Sequence, residues 1–179
     1  MWAAYADLLG ANPAEALIRS MGDWTIRFLV LVLTVTPLRT MVGLPALLRL
    51  RRMIGLFVFF YASMHLLAYA WFDQGFDWTE VAIDTGKRPF ILVGMLGWVL
   101  LSLLALTSFN QVIRWLGGRR WQMLHRLVYL IAGLAVLHFF WMRSGKNDFA
   151  EVFVYAVLFT SLLGWRVWRH WRRSPPPRP

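Results

Sequence analysis

Three of the four histidines, His65, His125 and His138, fall inside long apolar runs, and the fourth, His170, stands in a basic C-terminal stretch where it reads as a solvated residue. An ionisable side chain at membrane depth is rare, costly and by default functional. The 179 residues contain no cysteine. Disulfides, thiolate-held clusters and Cys-based zinc sites are thereby excluded, and a redox centre would need imidazole, carboxylate or main-chain ligands. All nine carboxylates lie in or beside connections at one end of the runs, none at the middle of one. That placement argues against a pump or cation transporter built around a midplane carboxylate.

His65 lies about 16 Å in from the start of its run, and His138 stands near the end of a run that travels in the same direction. The two therefore reach similar heights, in the half nearest the acidic connections. Two neutral imidazoles on facing helices, with no charged ligand, suit a planar haem with two axial nitrogens. Phe59, Phe60, Tyr61, Tyr69, Phe139, Phe140 and Trp141 flank them as a shell that would exclude water. The competing reading makes each imidazole a hydrogen-bonding group between helices and the aromatics an interface belt.

His125 precedes His138 by thirteen positions, about 20 Å along a helix, with the two rings roughly 140° apart around it. A local irregularity near Gly133, or different partner helices, would be needed to align them. At the matching depth the second run offers Arg51 and Arg52 rather than a histidine. His125 is thus left to a second haem with an unusual partner, or to a quinone. Arg49, Arg51 and Arg52 crowd the same interface. They set topology, or they form a grip for haem propionates, quinone oxygens or a flavin phosphate.

The elements that must position these groups follow from composition. The chain is 59% hydrophobic and 16% charged, with a net charge of +10 and a mean hydropathy of +0.52. A soluble domain is normally about 25% charged, so soluble, disordered and nucleic-acid-binding classes are poor fits. Five runs are long enough to cross a bilayer as helices: Trp24–Met41, Ile54–Phe72, Arg88–Ser108, Trp121–Trp141 and Ala150–Trp168. The expected fold is an all-α membrane bundle. Residues 1–23 form an N-terminal stump and external segment, 24–168 the transmembrane domain, and 169–179 a basic, Pro-rich tail. One set of ends carries thirteen arginines and no acid. The other carries six basic residues and all nine acids. The positive-inside rule places the arginine-only ends, and the C-terminus, in the cytoplasm. An acidic external loop with Asp73, Asp77, Glu80 and Asp84 is either a docking surface for a soluble partner or an ordinary solvated loop.

Several segments, in order and on the corresponding runs, resemble the MsrQ (YedZ) branch of the ferric-reductase-like transmembrane family. They are Leu33–Arg39 (LTVTPLR), Leu50–Gly55 (LRRMIG), Met64–Tyr69 (MHLLAY), Arg88–Trp98 (RPFILVGMLGW) and Gly118–Leu130 followed by His138. The resemblance covers nearly the whole chain from about Ala11. It implies a haem b membrane subunit of the bacterial inner membrane that takes electrons from the respiratory quinone pool. It passes them to MsrP, a periplasmic molybdopterin enzyme that reduces methionine sulfoxide in oxidised proteins. On that resemblance His65, His125 and His138 stand at the family's histidine positions, and Arg51 and Arg52 at a basic pair linked to quinone use. FMN is implied by the resemblance alone. The family usually has six spans, and only the stump Trp2–Gly10 corresponds to the first. The expected role is an electron-transfer subunit rather than a complete enzyme. The alternatives are a haem reductase fed by a separate cytosolic flavin reductase, and a non-redox scaffold.

Overall fold

The computed structural model describes residues 12–145 and 147–173. These form helices and connections, with no strand among the described residues. In chain order the helices are α1 (Pro13–Val42), α2 (Leu47–Phe72), α3 (Trp78–Lys87), α4 (Pro89–Leu106), α5 (Asn110–Leu116), α6 (Gly118–Leu124), α7 (Leu127–Ser144) and α8 (Ala150–Arg173). Five stretches among the described residues are long and apolar enough to span a membrane, the fourth running through α6 and α7.

The boundaries differ from the expected ones for local reasons. α1 starts at Pro13 rather than Trp24, because Asn12 Oδ1 accepts the Glu15 N–H (3.1 Å) and Pro13 occupies the first helical position. Its 30 residues are about 45 Å long, well over the roughly 30 Å hydrocarbon core. Residues 13–23, expected outside the membrane domain, therefore continue its first helix, and Asp23 lies within that helix instead of beside a connection. The stump Trp2–Gly10 lies outside the described residues. α8 continues to Arg173 rather than stopping at Trp168, so the first residues of the expected tail are helical.

The connection expected to be a loop between Asp73 and Lys87 contains α3. Asp77 caps it, its Oδ1 accepting from the N–H groups of Thr79 (2.8 Å) and Glu80 (3.3 Å). In the fourth span the helical ladder breaks at His125–Arg126. Arg126 N bonds Met123 O (3.1 Å) and Tyr129 N bonds Arg126 O (2.9 Å), the tighter three-residue pattern. The irregularity lies there and not near Gly133, where one would be needed to align His125 with His138.

The strongest packing joins α1 to α2 and α4 to α7. α2 then meets α4, and α8 closes against α1 and α7. The shared core holds Leu29, Leu33 and Val58 with Ile131, Ala132 and Phe159. Leu31, Phe60, Leu92 and Val99 are among the large apolar side chains left facing outward, as a lipid-facing surface requires.

One internal repair ties α8 to α1. Pro37 lies inside α1 and has no N–H, so the Leu33 carbonyl loses its helical partner. The Arg166 guanidinium, from α8, donates to Leu33 O and to Leu162 O (2.9 Å for the latter) and lies 5.6 Å from the Tyr129 ring centre. A hydrogen bond from a charged donor is worth about 1.5–3 kcal/mol. Arg166→Ala is expected to lower the thermal midpoint in detergent, and to do so less in a Pro37→Ala background where Leu33 O regains a backbone donor. Equal losses in both backgrounds would refute the coupling.

Candidate functional site

α2 and α7 bring His65 and His138 together near the acid-bearing end of the bundle. Their ring centres are 6.1 Å apart and their planes 88° apart. Each ring is held through Nδ1 by a carbonyl on a different helix. His65 Nδ1 lies 2.8 Å from Ile18 O on α1, and His138 Nδ1 lies 2.6 Å from Phe90 O on α4. A carbonyl only accepts, so both Nδ1 atoms carry the proton and both Nε2 atoms keep their lone pairs. Two imidazole nitrogens each about 2 Å from a shared metal ion put the ring centres about 6 Å apart, which is the separation found. The two rings line a cavity of about 450 Å³ between α1, α2, α4 and α7.

The cavity walls are apolar, with Ile26, Ile91, Trp98, Ile131 and Leu134 among them. Trp98 Nε1 donates to Ser63 Oγ (3.1 Å), which holds the indole in place. Of the seven aromatics expected to shield the pair, only Tyr69 and Phe139 line the cavity. Phe60, Phe140 and Trp141 face outward, and Tyr61 stacks on Phe28 and Trp24. At about 100° per residue, Tyr69 follows His65 by four positions and shares its face, whereas Phe60 and Phe140 point roughly 140–160° away from their histidines.

Arginines and acids alternate around the open end of the cavity. Arg19 pairs with Glu15, Arg88 Nε with Asp84 (2.8 Å), and Arg143 with Asp148 (2.9 Å) and Glu151 (2.8 Å). Arg143 Nε is buried and lacks a hydrogen-bond partner. The acidic connection, open to reading as a docking surface or a solvated loop, commits two of its four acids to structure. Asp84 is buried, accepting from Tyr69 Oη (2.7 Å) and Gln74 Nε2 (3.1 Å) as well as from Arg88, and Asp77 caps α3. Partial desolvation at the cavity mouth raises the Asp73 carboxyl above the usual carboxylate range, and the Arg88 guanidinium pulls it the other way. The sequence signal for α3 is Asp77 followed three residues later by Glu80, a capping-box pattern.

His125 lies apart from that pair, in a smaller pocket of about 110 Å³ that it lines with Arg51, Arg52, Trp121 and Ser108. Its Nε2 is 3.3 Å from Thr107 Oγ1, and its ring lies 4.1 Å from that of Trp121. Trp121 Nε1 donates to Thr107 O (3.0 Å), and Arg52 donates to Asn110 Oδ1 (2.5 Å). Arg49, from the same basic cluster, is exposed and does not line this pocket. The described residues bring no second histidine beside His125.

The profile of the family described as ferric reductase like transmembrane component matches residues 21–136. A protein of Polaromonas naphthalenivorans named protein-methionine-sulfoxide reductase haem-binding subunit MsrQ is 62% identical over 173 residues, 97% of this chain and 79% of the relative. The chain belongs to the MsrQ branch of the ferric-reductase-like transmembrane family. Proteins of the same name from Bordetella parapertussis and Caulobacter vibrioides are 51% and 44% identical, each match covering 99% of this chain and 85% and 84% of theirs. No solved structure matches. The family profile covers His65, His125, Arg51 and Arg52 and ends just short of His138, which the longer MsrQ matches extend past.

Proposed function

We propose that this chain is the haem-carrying subunit of a methionine sulfoxide reductase system of the bacterial inner membrane. It takes electrons from respiratory quinol at its basic end and delivers them to a periplasmic molybdopterin reductase of the MsrP type at its acid-bearing end. The observation that carries the reading is the His65–His138 pair, tethered through Nδ1, spaced for one metal ion and bordering an apolar cavity. The names of the relatives point the same way. The arginine-only end faces the cytoplasm by the positive-inside rule.

Haem b, when bound, supplies a one-electron carrier inside the bundle. His65 and His138 would hold it through their Nε2 lone pairs, and their carbonyl tethers fix the direction of both rings. Ile26, Ile91 and Ile131 keep water from the centre. Arg19, Arg88 and Arg143, on the cavity's rim, are placed to take the two propionates, with the unpartnered Arg143 Nε as a spare donor. At the basic end Arg51 and Arg52 donate to the quinone oxygens. Thr107 Oγ1 donates to Leu103 O (2.8 Å), so its oxygen accepts from His125 Nε2–H. That leaves the His125 Nδ1 lone pair to receive a quinol proton. Each quinol gives up two electrons and two protons. His125 Nδ1 would take one of the protons and solvent at the basic end the other. The size of the basic-end pocket and its single histidine support one haem rather than two. Flavin rests on resemblance alone, and no step is assigned to it.

The test is a redox titration of the purified protein in nanodiscs. The expected results are one b-type haem per chain, reduced by a quinol analogue and reoxidised only when an MsrP-type reductase and methionine sulfoxide are both added. Protein that stays colourless after haem reconstitution would overturn the reading. Reduction by NADPH with a flavin reductase, but not by quinol, would replace the proposed donor with a cytosolic one.

A further inference from the structure

Both histidine tethers have the same construction. The carbonyl that accepts from His65 belongs to Ile18, and the residue four positions on is Gly22. The carbonyl that accepts from His138 belongs to Phe90, and four positions on is Gly94. In a helix the carbonyl of residue i already accepts from the N–H of residue i+4. The side chain at i+4 tilts back towards the helix N-terminus and lies over that carbonyl. With glycine at i+4, the second lone pair of the carbonyl is open to a ring from the neighbouring helix. The fit is close. A Cβ at Gly22 would meet His65 Cε1 and Nδ1 at 3.3 Å, and one at Gly94 would meet His138 Cε1 and Nδ1 at 2.9 Å. A Cβ at Gly133, on the same helix as His138, would meet nothing within 4 Å.

We propose that Gly22 and Gly94 are positioning residues for the two axial imidazoles: each uncovers the helix carbonyl that orients its histidine and raises that ring's basicity. The inference rests on the haem reading above. The seats have two effects. They fix the Nδ1–H tautomer, so that Nε2 faces the iron. They also strengthen the imidazole as an electron donor, which favours the oxidised iron and lowers its potential. The two seats are unequal. At 2.9 Å the His138 ring has to leave its carbonyl to admit a methyl group, whereas at 3.3 Å the His65 ring has only to give by a few tenths of an ångström.

The experiment compares Gly94→Ala, Gly22→Ala and Gly133→Ala with the unaltered protein, each reconstituted with haem in nanodiscs. Haem affinity, the low-spin fraction of the iron and the midpoint potential are measured. Losing an outer-shell partner of a metal-bound histidine costs about 10–100-fold in affinity. G94A is expected to lose that much and to approach the behaviour of His138→Ala. G22A is expected to keep its haem with a raised midpoint potential, and G133A to match the unaltered protein. If G94A fails to fold, the potential of G22A decides, since a merely structural glycine would leave it unchanged. Unaltered affinity and potential in both seat variants would overturn the proposal, as would a larger effect at Gly22 than at Gly94. Absence of haem from the unaltered protein would overturn the haem reading along with it.

Discussion

His65→Ala and His138→Ala are each expected to leave a folded membrane protein with no stable low-spin haem band. On the proposed reading each ring would supply one of the two nitrogens that hold the haem. Neither has a substitute, since His125 lines a different pocket and there is no cysteine. Removing the ligand outright should exceed the roughly 10–100-fold loss caused by removing its outer-shell partner. The measurement is reduced-minus-oxidised absorbance per mole of folded protein, with helical content checked separately. His125→Ala is the contrasting variant and should keep the spectrum of the unaltered protein. His138→Gly should regain a low-spin band when free imidazole is added, because the deletion opens the space that the His138 ring fills beside Gly94. Full haem occupancy in both alanine variants would remove the His65–His138 pair as the ligand set.

Arg51→Gln with Arg52→Gln is expected to slow reduction by quinol about tenfold or more while haem content and reduction by dithionite stay unchanged. A hydrogen bond to a charged donor contributes about 1.5–3 kcal/mol, roughly a ten- to hundredfold rate change for one bond made as charge develops on the quinol oxygen. Arg52 is steadied by Asn110 across the basic end, so Asn110→Ala should give a smaller loss in the same direction. His125→Ala should also slow quinol oxidation, with a weakened pH dependence, if its Nδ1 takes the proton. Stopped-flow reduction with varied quinol separates binding from turnover. A double arginine variant with unaltered quinol kinetics would show that the donor binds elsewhere.

Much of this arrangement could be read from the chain because it depends on long periodic features. The five apolar runs, the two charge classes of their ends and the similar heights of His65 and His138 all follow from residue counting. What escaped the reading depends on contacts between helices or on single backbone groups. Nothing in Trp121–Leu130 contains a proline or glycine to mark the break at His125–Arg126. Arg166 looks like a topological charge until Pro37 is seen to have stripped Leu33 of its helical partner. Asp84 looks solvated until Tyr69, Gln74 and Arg88 close around it. Gly22 and Gly94 were invisible for the same reason: their importance lies in an uncovered carbonyl on one helix and a ring on another.

The tethers of the two histidines also impose an order of assembly. Each imidazole takes its direction from a helix other than its own, α1 for His65 and α4 for His138. Neither nitrogen is aimed until its helix pair has docked. During synthesis the α1–α2 half is complete early, and α7 emerges only after most of the chain has been made. A nascent chain that stalls before α7 holds only the His65 half of the pair, so on the proposed reading a haem would find both of its nitrogens only in a finished bundle.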